Sequence, residues 1–228
     1  MQDLTTLARS CGRHGEVVLR RRGTGDDAVD ELIVNGAFAM DSVETGSERA
    51  LAAFAAPGSR VLVGGLGLGF TVAELLDGHV ASIDLVELEG ALVTWAYEAK
   101  TPRLGRVAAD PRVRLWVDDI RTVLAATGVE PQPPWDAILL DVDNGPDFLI
   151  HAENADLYRL PTLEQAYAQL CPGGVLAIWC QGPHAGLWSA VRALTSASRE
   201  DRRRAVRGRH RIDYVIYSAR APDRGRQQ

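Results

Sequence analysis

From residue 58 onward, runs of consecutive apolar residues alternate with segments whose apolar residues recur at helical spacing. Continuous Val, Ile and Leu runs separated by helices are typical of a parallel sheet that is covered on both faces. The pattern therefore predicts an α/β fold with a Rossmann-like, doubly wound, mostly parallel sheet. A last, alternating segment over 211–219 predicts a strand that pairs antiparallel at or near the sheet edge. The five buried strands are predicted over 60–63, 82–87, 113–117, 137–141 and 175–180.

The chain before residue 58 has a different pattern. Two short β-like runs, 16–20 and 31–35, flank the turn-rich segment RRGTGDD and predict a hairpin. The helical-looking segment SERALAAFAA and the pair Pro57-Gly58 follow, which indicates a linker. We therefore predict a short N-terminal β-hairpin and linker helix over 1–57, followed by the Rossmann-like domain over 58–228.

Composition places the chain among globular proteins. Its 228 residues are 46% hydrophobic and 24% charged, which excludes wholesale disorder. No apolar run approaches the roughly 20 residues of a membrane-spanning helix, and the N-terminus lacks the layout of a secretory signal. We expect a soluble, cytoplasmic protein without a membrane partner. The scattered Cys11, Cys171 and Cys180 fit neither a disulfide framework nor a zinc spacing, so no metal is expected.

Charge is distributed unevenly along the chain. The last 30 residues contain ten arginines and four acids, so the other 198 residues carry a net charge of −11. An acidic body repels phosphates, and we therefore expect no nucleic-acid partner. The cluster Arg202-Arg203-Arg204 is interpreted as a solvated turn before the last strand.

A glycine-rich turn follows the first buried strand and leads into the helical segment TVAELL. Gly65, Gly67 and Gly69 allow a tight turn and a close approach to a ligand, although close packing of strand and helix is an alternative reason for them. A dinucleotide-binding G-x-G-x-x-G motif counted from Gly65 would require a small residue where Phe70 stands, which disfavours NAD. The chain also has no G-x-x-x-x-G-K-[ST] phosphate loop.

Acidic residues stand at the ends of three consecutive predicted strands. Glu87, 22 residues after Gly65, is placed to accept hydrogen bonds from ribose hydroxyls. Helix capping is an equal alternative for one of the Asp118-Asp119 pair, and a plain turn is an alternative for the segment 143–146. A G-x-G-x-G turn with acids after strands two and three suits adenosine carried on a sulfonium, as in S-adenosylmethionine. The polar residues at the three strand ends are Glu87, Asp118, Asp119, Asp141, Asp143 and Asn144.

The chain over 31–181 resembles the spermidine synthase (polyamine aminopropyltransferase) family and its methyltransferase-fold relatives. The resemblance lies in VLVGGLGLG, LVELEGALV, DPRVRLWVDDIRTVL, WDAILLDVDNGP and LYRLPTLEQAYAQLCPGGVLAIW. It implies a class I methyltransferase fold that binds S-adenosylmethionine or its decarboxylated form. It also implies that the turn glycines border the methionine-like part, Glu87 holds the ribose, Asp119 the adenine amine, and Asp141 faces the reacting centre. The implied cofactor-binding set is Gly65, Gly67, Leu68, Gly69, Glu87, Leu88, Asp118, Asp119, Ile120 and Asp141.

The chain departs from that family at two motifs. The aspartate of the family's G-G-G-D-G-G turn falls on Leu68, and its D-[ST]-x-D-P motif reads Asp141-Val142-Asp143-Asn144-Gly145-Pro146 here. Both departures favour methyl transfer to a small, amine-containing acceptor over aminopropyl transfer from decarboxylated S-adenosylmethionine. A non-catalytic, cofactor-binding scaffold is the third hypothesis.

An amine acceptor is protonated at neutral pH and must lose a proton before it attacks. Asp141, with Asp143, is the candidate that attracts this cation and takes its proton. Asn144, His151 and His184 lie after strands four and five and are candidate substrate contacts. Trp95, Tyr97 and Trp188 would suit a homodimer face if they are exposed, although aromatic residues at helical spacing are more often part of the core.

Overall fold

The computed structural model describes residues 3–43, 45–125, 130–207 and 210–223. In these ranges the strands form one four-stranded and one seven-stranded sheet. The four-stranded sheet is antiparallel and contains, in spatial order, β1 (Leu4–Gly12), β2 (Gly15–Arg22), β3 (Val29–Val34) and β4 (Ala37–Asp41).

The hairpin predicted at the N-terminus is confirmed as β2 and β3, which occupy the centre of the four-stranded sheet. The outer strands β1 and β4 are additional. β1 has no buried residue and reads LTTLARSCG, so its side chains carry no strand pattern and its place is fixed by backbone pairing with β2. β4 is only five residues long and follows a tight turn at Asn35 and Gly36, both with positive φ. The domain boundary at residue 57 stays a prediction.

The seven-stranded sheet confirms the predicted α/β architecture. Five strands run parallel in the order β7, β6, β5, β8, β9, and β11 then pairs antiparallel with β9 as predicted. The strands are β5 (Arg60–Gly64), β6 (Ser82–Glu87), β7 (Val113–Val117), β8 (Trp135–Leu140), β9 (Leu170–Cys180), β10 (Ser198–Arg207) and β11 (His210–Arg220).

Helices cover both faces of this sheet. On one face α1 packs on α2, and α2 and α3 pack on α4, next to the N-terminal sheet. On the other face α6 packs between α5 and α7. The helices are α1 (Gly46–Ala52), α2 (Phe70–Asp77), α3 (Gly90–Tyr97), α4 (Pro102–Ala109), α5 (Ile120–Ala125), α6 (Leu160–Ala168) and α7 (Ala185–Leu194), with 3-10 turns at Gly25–Asp27 and Ala152–Tyr158.

The interpretation of the arginine cluster as a turn is wrong. Arg202, Arg203 and Arg204 lie on β10, which pairs with β11 along its whole length, because the buried β11 offers a free backbone edge there. Their side chains are exposed and form ion pairs with neighbouring acids, at 2.9 Å to Glu200, 2.8 Å to Asp201 and 3.3 Å to Asp213 respectively. Residues 208 and 209 of the arginine-rich segment lie outside the described residues.

The three helical aromatic residues do not share an exposed face. Trp95 is buried in the core, and Trp188 is half-buried and stacks on Tyr217 with ring centroids 5.7 Å apart. Of the three, only Tyr97 is exposed. The homodimer therefore stays a prediction, and the three aromatic residues do not support it. In the part of the chain that the structure describes, no helix has the length and apolar character needed to cross a membrane.

One buried carboxylate connects four strands of the large sheet. Asp84 on β6 is fully buried, and its Oδ2 accepts a hydrogen bond from Trp135 Nε1 at 3.1 Å. The same carboxylate pairs with Arg60 at 3.0 Å and with Arg114 at 2.9 Å. These partners lie on β8, β5 and β7, so Asp84 fixes the strands whose carboxyl ends carry the predicted site.

We expect Asp84→Ala to lower the free energy of unfolding by about 3 to 5 kcal/mol, because it leaves the buried indole N–H and two guanidinium groups without their acceptor. Urea unfolding of the variant and of the wild type measures this difference. Asp77→Ala is the matched control, since Asp77 pairs with Arg106 at 2.6 Å on the surface and should lose about 1 kcal/mol or less. Equal losses in the two variants would contradict a structural role for Asp84.

Candidate active site

The glycine turn after β5 passes between two other parts of the chain. Gly65 has a φ of +95°, and a Cβ atom there would lie 2.3 Å from the carbonyl oxygen of Asp141. At Gly67, with a φ of +50°, a Cβ atom would lie 2.6 Å from Met40 Sδ, and the amide of Leu68 donates to the same sulfur at 3.3 Å. Any other residue at these two positions would be strained and would clash, so the glycines set the spacing between β5, β8 and β4.

A cavity of about 450 Å³ lies over this turn, at the carboxyl ends of β5, β6, β7 and β8. The N-terminal sheet contributes to its wall through Leu32 and Val34 of β3 and Met40 of β4. Its volume is typical of small-molecule sites. The predicted site residues that line it are Gly65, Gly67, Glu87, Leu88, Asp118, Asp119, Ile120, Asp141, Asp143, Asn144 and His151.

Three predicted site residues do not line this cavity. The side chain of Leu68 is buried in the apolar core, and Gly69 caps α2 in a left-handed conformation with a φ of +82°. His184 caps α7, where its Nδ1 accepts a hydrogen bond from the amide of Leu187 at 3.0 Å. His184 therefore serves as a helix cap, and its Nε2 lies 3.7 Å from Asp147 Oδ1.

Glu87 lines the cavity and is held there by backbone amides. Its Oε2 accepts from the amide of Leu66 at 2.7 Å and its Oε1 from the amide of Glu89 at 2.8 Å. Burial raises the pKa of this carboxyl above its ordinary value, against the effect of the two amides. Each oxygen has a further lone pair, so Glu87 has the capacity to accept hydrogen bonds from a ligand as well.

The two acids after β7 have different contacts. Asp119 is the cap residue of α5, because its Oδ1 accepts from the amide of Arg121 at 2.8 Å, and it also pairs with the Arg121 guanidinium at 2.6 Å. Burial alone would raise the pKa of Asp119, but the hydrogen bonds from Arg121 outweigh it and the pKa is lowered. Asp118 is exposed and accepts from the amide of Asp119 at 2.7 Å. Helix capping by Asp119 therefore coexists with its place in the cavity wall.

Asp141 and Asp143 follow β8 and have distinct environments. Asp141 Oδ2 accepts from Thr71 Oγ1 at 2.6 Å, and burial raises the pKa of Asp141 despite that bond. Asp143 has a φ of +53° and accepts from Asn154 Nδ2 at 2.9 Å, and burial raises its pKa as well. Its hydrogen bonds attach the loop after β8 to the 3-10 turn, whose Tyr158 hydroxyl donates to the carbonyl of Val142.

The cavity wall is strongly acidic. Among the described residues that line it there is no lysine or arginine, and His151 is the one basic side chain. Five of its eight carboxylates follow predicted strands and were predicted as site residues. The other three were not predicted, because they do not stand at the end of a predicted strand. Asp41 and Glu48 stand in the segment assigned to a hairpin and linker, and Glu89 is signalled only by its position two residues after Glu87. The lining carboxylates are Asp41, Glu48, Glu87, Glu89, Asp118, Asp119, Asp141 and Asp143.

Comparison with solved structures identifies the architecture. A spermidine synthase crystallised with the transition-state analogue AdoDATO superposes with a TM-score of 0.74 at 16% identity, covering 94% of this chain and 73% of that one. A probable spermidine synthase from Corynebacterium glutamicum gives a TM-score of 0.65 at 18% identity, covering 92% and 78%. The chain has the spermidine synthase fold.

The fold is of the Rossmann-like α/β type that the sequence predicts, and a third solved structure shares it. TrmN from Thermus thermophilus matches with a TM-score of 0.52 at 22% identity over 78% of this chain and 48% of that one. No family model matches the sequence, and no curated protein matches it significantly. At these identities the likeness establishes the spermidine synthase fold for this chain, and the reaction has to be argued from the cavity.

The raised pKa of Asp141 predicts that its charge destabilises the free protein. A buried carboxyl whose folded pKa is raised contributes stability at low pH, and that stability is lost as the pH rises through the folded pKa. Asp141→Asn removes the charge but keeps an oxygen that can accept from Thr71. We therefore expect a higher melting temperature for Asp141→Asn than for the wild type at pH 7.5, and a smaller difference at pH 5.

Thermal unfolding at both pH values measures this effect. Asp118→Asn is the control, because Asp118 is exposed and its replacement should change the melting temperature little at either pH. A melting temperature of Asp141→Asn below that of the wild type at pH 7.5 would show that the ionised carboxylate stabilises the fold.

Proposed function

We propose that the chain is a transferase that takes a group from an S-adenosyl sulfonium donor and attaches it to a small amine acceptor. The observation that carries this proposal is the acidic cavity, which has no lysine or arginine among its described lining residues. Such a wall favours cationic ligands, as a sulfonium and an ammonium both are, and disfavours nucleotides with phosphate groups. The position of the cavity over the carboxyl ends of parallel strands is where doubly wound folds bind nucleosides.

The residues of one half of the cavity suit the donor. Glu87 offers acceptor capacity for ribose hydroxyls, and Leu88 and Ile120 offer apolar surface for a base on either side. Asp119 accepts from three N–H groups of Arg121, the amide, Nε and Nη2, so its four lone pairs leave capacity for one hydrogen bond from an adenine amine. When bound, the donor supplies an electrophilic carbon attached to a positively charged sulfur.

The other half of the cavity suits an amine acceptor. Asp141 lies where the glycine turn meets the end of β8, and its carboxylate is fixed by Thr71. Its negative charge attracts an ammonium and holds it near the donor half, and alignment of this kind lowers barriers by up to about 7 to 11 kcal/mol. Asn144 and Phe148 also line this half, and Phe148 is exposed at the cavity surface.

Methyl transfer is our first assignment for the reaction. The sequence resemblance places the family's turn aspartate at Leu68, and the Leu68 side chain is packed in the core. The chain therefore has no carboxylate at the position where the aminopropyltransferases have one. A methyl donor does not require that residue, so S-adenosylmethionine is the donor that this departure favours.

Aminopropyl transfer is the second assignment, and a different observation favours it. Asp41 and Glu48 line the cavity from the N-terminal side, together with Met40, whose sulfur contacts the glycine turn. A methionine carboxylate would be repelled there, whereas a decarboxylated donor would not. The two assignments thus make opposite predictions about the donor.

Transfer assays with labelled donors distinguish these assignments. Purified protein is incubated with methyl-labelled S-adenosylmethionine or with labelled decarboxylated S-adenosylmethionine, and with 1,3-diaminopropane or 1,4-diaminobutane. Methylated amine supports the first assignment and an aminopropylated amine the second. Binding of either donor without transfer to any amine would support the scaffold hypothesis, and absence of binding by both donors would overturn the proposed function.

Replacing Glu87 tests the donor half of the cavity. We expect Glu87→Ala to weaken binding of 5′-methylthioadenosine by about 2 kcal/mol or more, because the ribose hydroxyls lose a charged acceptor. Isothermal titration calorimetry measures the change. Glu98→Ala, an exposed acid just after α3, is the control and should bind like the wild type. Unchanged affinity in Glu87→Ala would remove Glu87 from the nucleoside site.

Replacing Asp141 tests the acceptor half. Asp141→Asn keeps the shape of the side chain but removes its charge, so turnover should fall by about 100-fold or more while 5′-methylthioadenosine affinity stays close to that of the wild type. Steady-state kinetics with the active donor, together with calorimetry, give the two numbers. Parallel loss of nucleoside affinity and turnover would instead place Asp141 in the donor half.

A further inference from the structure

A second, polar cavity of about 860 Å³ lies beside the first and shares part of its wall. It is bounded by the turn between β1 and β2, which carries Arg13 and His14, and by the start of α3. Glu89 and His151 line both cavities, so the two side chains stand in the partition between them. The function proposed above does not explain this arrangement.

Glu89 has a buried carboxylate oxygen that lacks a hydrogen bond. The residue is 6% exposed, and its Oε1 has no hydrogen-bond partner within the described ranges. The nearest basic atom is Nε2 of His151 at 3.5 Å, on a side chain that is 14% exposed. A buried carboxylate without a partner is costly, so an N–H on His151 Nε2 directed at this oxygen is the arrangement that lowers the cost.

His151 is held in place by the chain around it. Its carbonyl accepts from the amide of Asn154 at 3.0 Å, and the Asn154 side chain donates to Asp143. On the opposite side the His14 ring meets the His151 ring edge-on, with ring centroids 5.9 Å apart. The charged or titratable groups that face His151 are therefore Glu89 from the start of α3, His14 from the N-terminal sheet and Asp143 from the loop after β8.

We propose that His151, oriented by Glu89, is the base that removes the proton from the acceptor amine. This proposal rests on the proposed function, and it assigns the proton to a residue other than Asp141. With Nε2–H directed at Glu89, Nδ1 is the ring nitrogen that can accept a proton, and it has no hydrogen-bond partner among the described residues. A base oriented by a carboxylate is a recurrent catalytic arrangement.

The step moves one proton from the acceptor ammonium to His151. An N–H bond of the ammonium breaks, its electron pair stays on the amine nitrogen as the attacking lone pair, and a new N–H bond forms at His151 Nδ1. Glu89 stabilises the imidazolium that results. The proton then leaves to water in the second cavity, which His151 also lines. Asp141 keeps the role of holding the cationic acceptor by its charge.

The nucleoside site and this base are coupled through the backbone. The amide of Glu89 donates to Glu87 Oε1, so the residue assigned to the ribose also fixes the start of α3, from which the Glu89 side chain extends. The two-residue spacing between the acids therefore lets Glu87 face the donor while Glu89 faces His151.

The test uses the wild-type protein, the active donor and 1,4-diaminobutane. We expect His151→Ala to lower turnover by about 100-fold or more and to regain activity when imidazole is added, in proportion to the concentration of its neutral form. 5′-Methylthioadenosine affinity should be unchanged, which shows that the variant is folded. His79→Asn is the control, because His79 is exposed in the turn before β6, at the amino ends of the parallel strands, and the variant should keep full activity without an effect of imidazole.

The pH profile distinguishes a base from a structural residue. Wild-type turnover should fall at low pH, because a protonated base cannot take the proton of the acceptor. This limb should disappear in His151→Ala but remain in Asp141→Asn. Glu89→Gln should lower turnover, because the imidazolium that forms in the step loses a stabilising charge.

The remaining outcomes separate the assignment of His151 as the base from the proposed function. If His151→Ala keeps wild-type turnover, or loses it without imidazole rescue and with an unchanged pH profile, the base assignment is overturned and the proposed function stands. If the wild type transfers nothing from either donor, the proposed function fails and the base assignment falls with it.

Discussion

The candidate site depends on two carboxylates, Glu87 and Asp141, whose ionised forms are destabilised by burial in a cavity whose described wall contains no lysine or arginine. Backbone amides make this possible at Glu87, where the glycine turn and the start of α3 each supply an N–H group. At Asp141 the compensation is a single hydroxyl, and burial raises the pKa of both carboxyls. Burial therefore destabilises the ionised form of both Glu87 and Asp141, and this is the physical reason for the cationic ligand that we propose.

The rest of the fold holds these carboxylates at a fixed spacing. Gly65 and Gly67 admit the end of β8 and the N-terminal sheet at distances that a side chain would prevent. Behind the site, Asp84 links four strands through partners on β5, β7 and β8. The acids at the strand ends consequently belong to a rigid frame, whereas Asp143 and His151 belong to a loop attached by hydrogen bonds.

The parallel sheet and the acids at its strand ends were predictable from sequence, because buried parallel strands read as continuous apolar runs and their carboxyl ends meet at one edge. The N-terminal sheet was predicted only in part, since β1 is placed by backbone pairing that its polar side chains do not signal. The contributions of Met40, Asp41 and Glu48 to the cavity were not predicted, because the sequence pattern did not indicate β4 and α1 was taken for a linker helix. The sequence around the arginine cluster predicted a turn, because the exposed edge strand β10 has no pattern of apolar residues.

The most direct test of the central claim is whether the cavity selects adenosine compounds by charge. Isothermal titration calorimetry at fixed ionic strength would compare S-adenosylmethionine and decarboxylated S-adenosylmethionine with ATP and NAD. The account predicts saturable binding of at least one sulfonium compound and no detectable binding of either phosphate-bearing nucleotide. Binding of ATP or NAD in preference to both sulfonium compounds would contradict it.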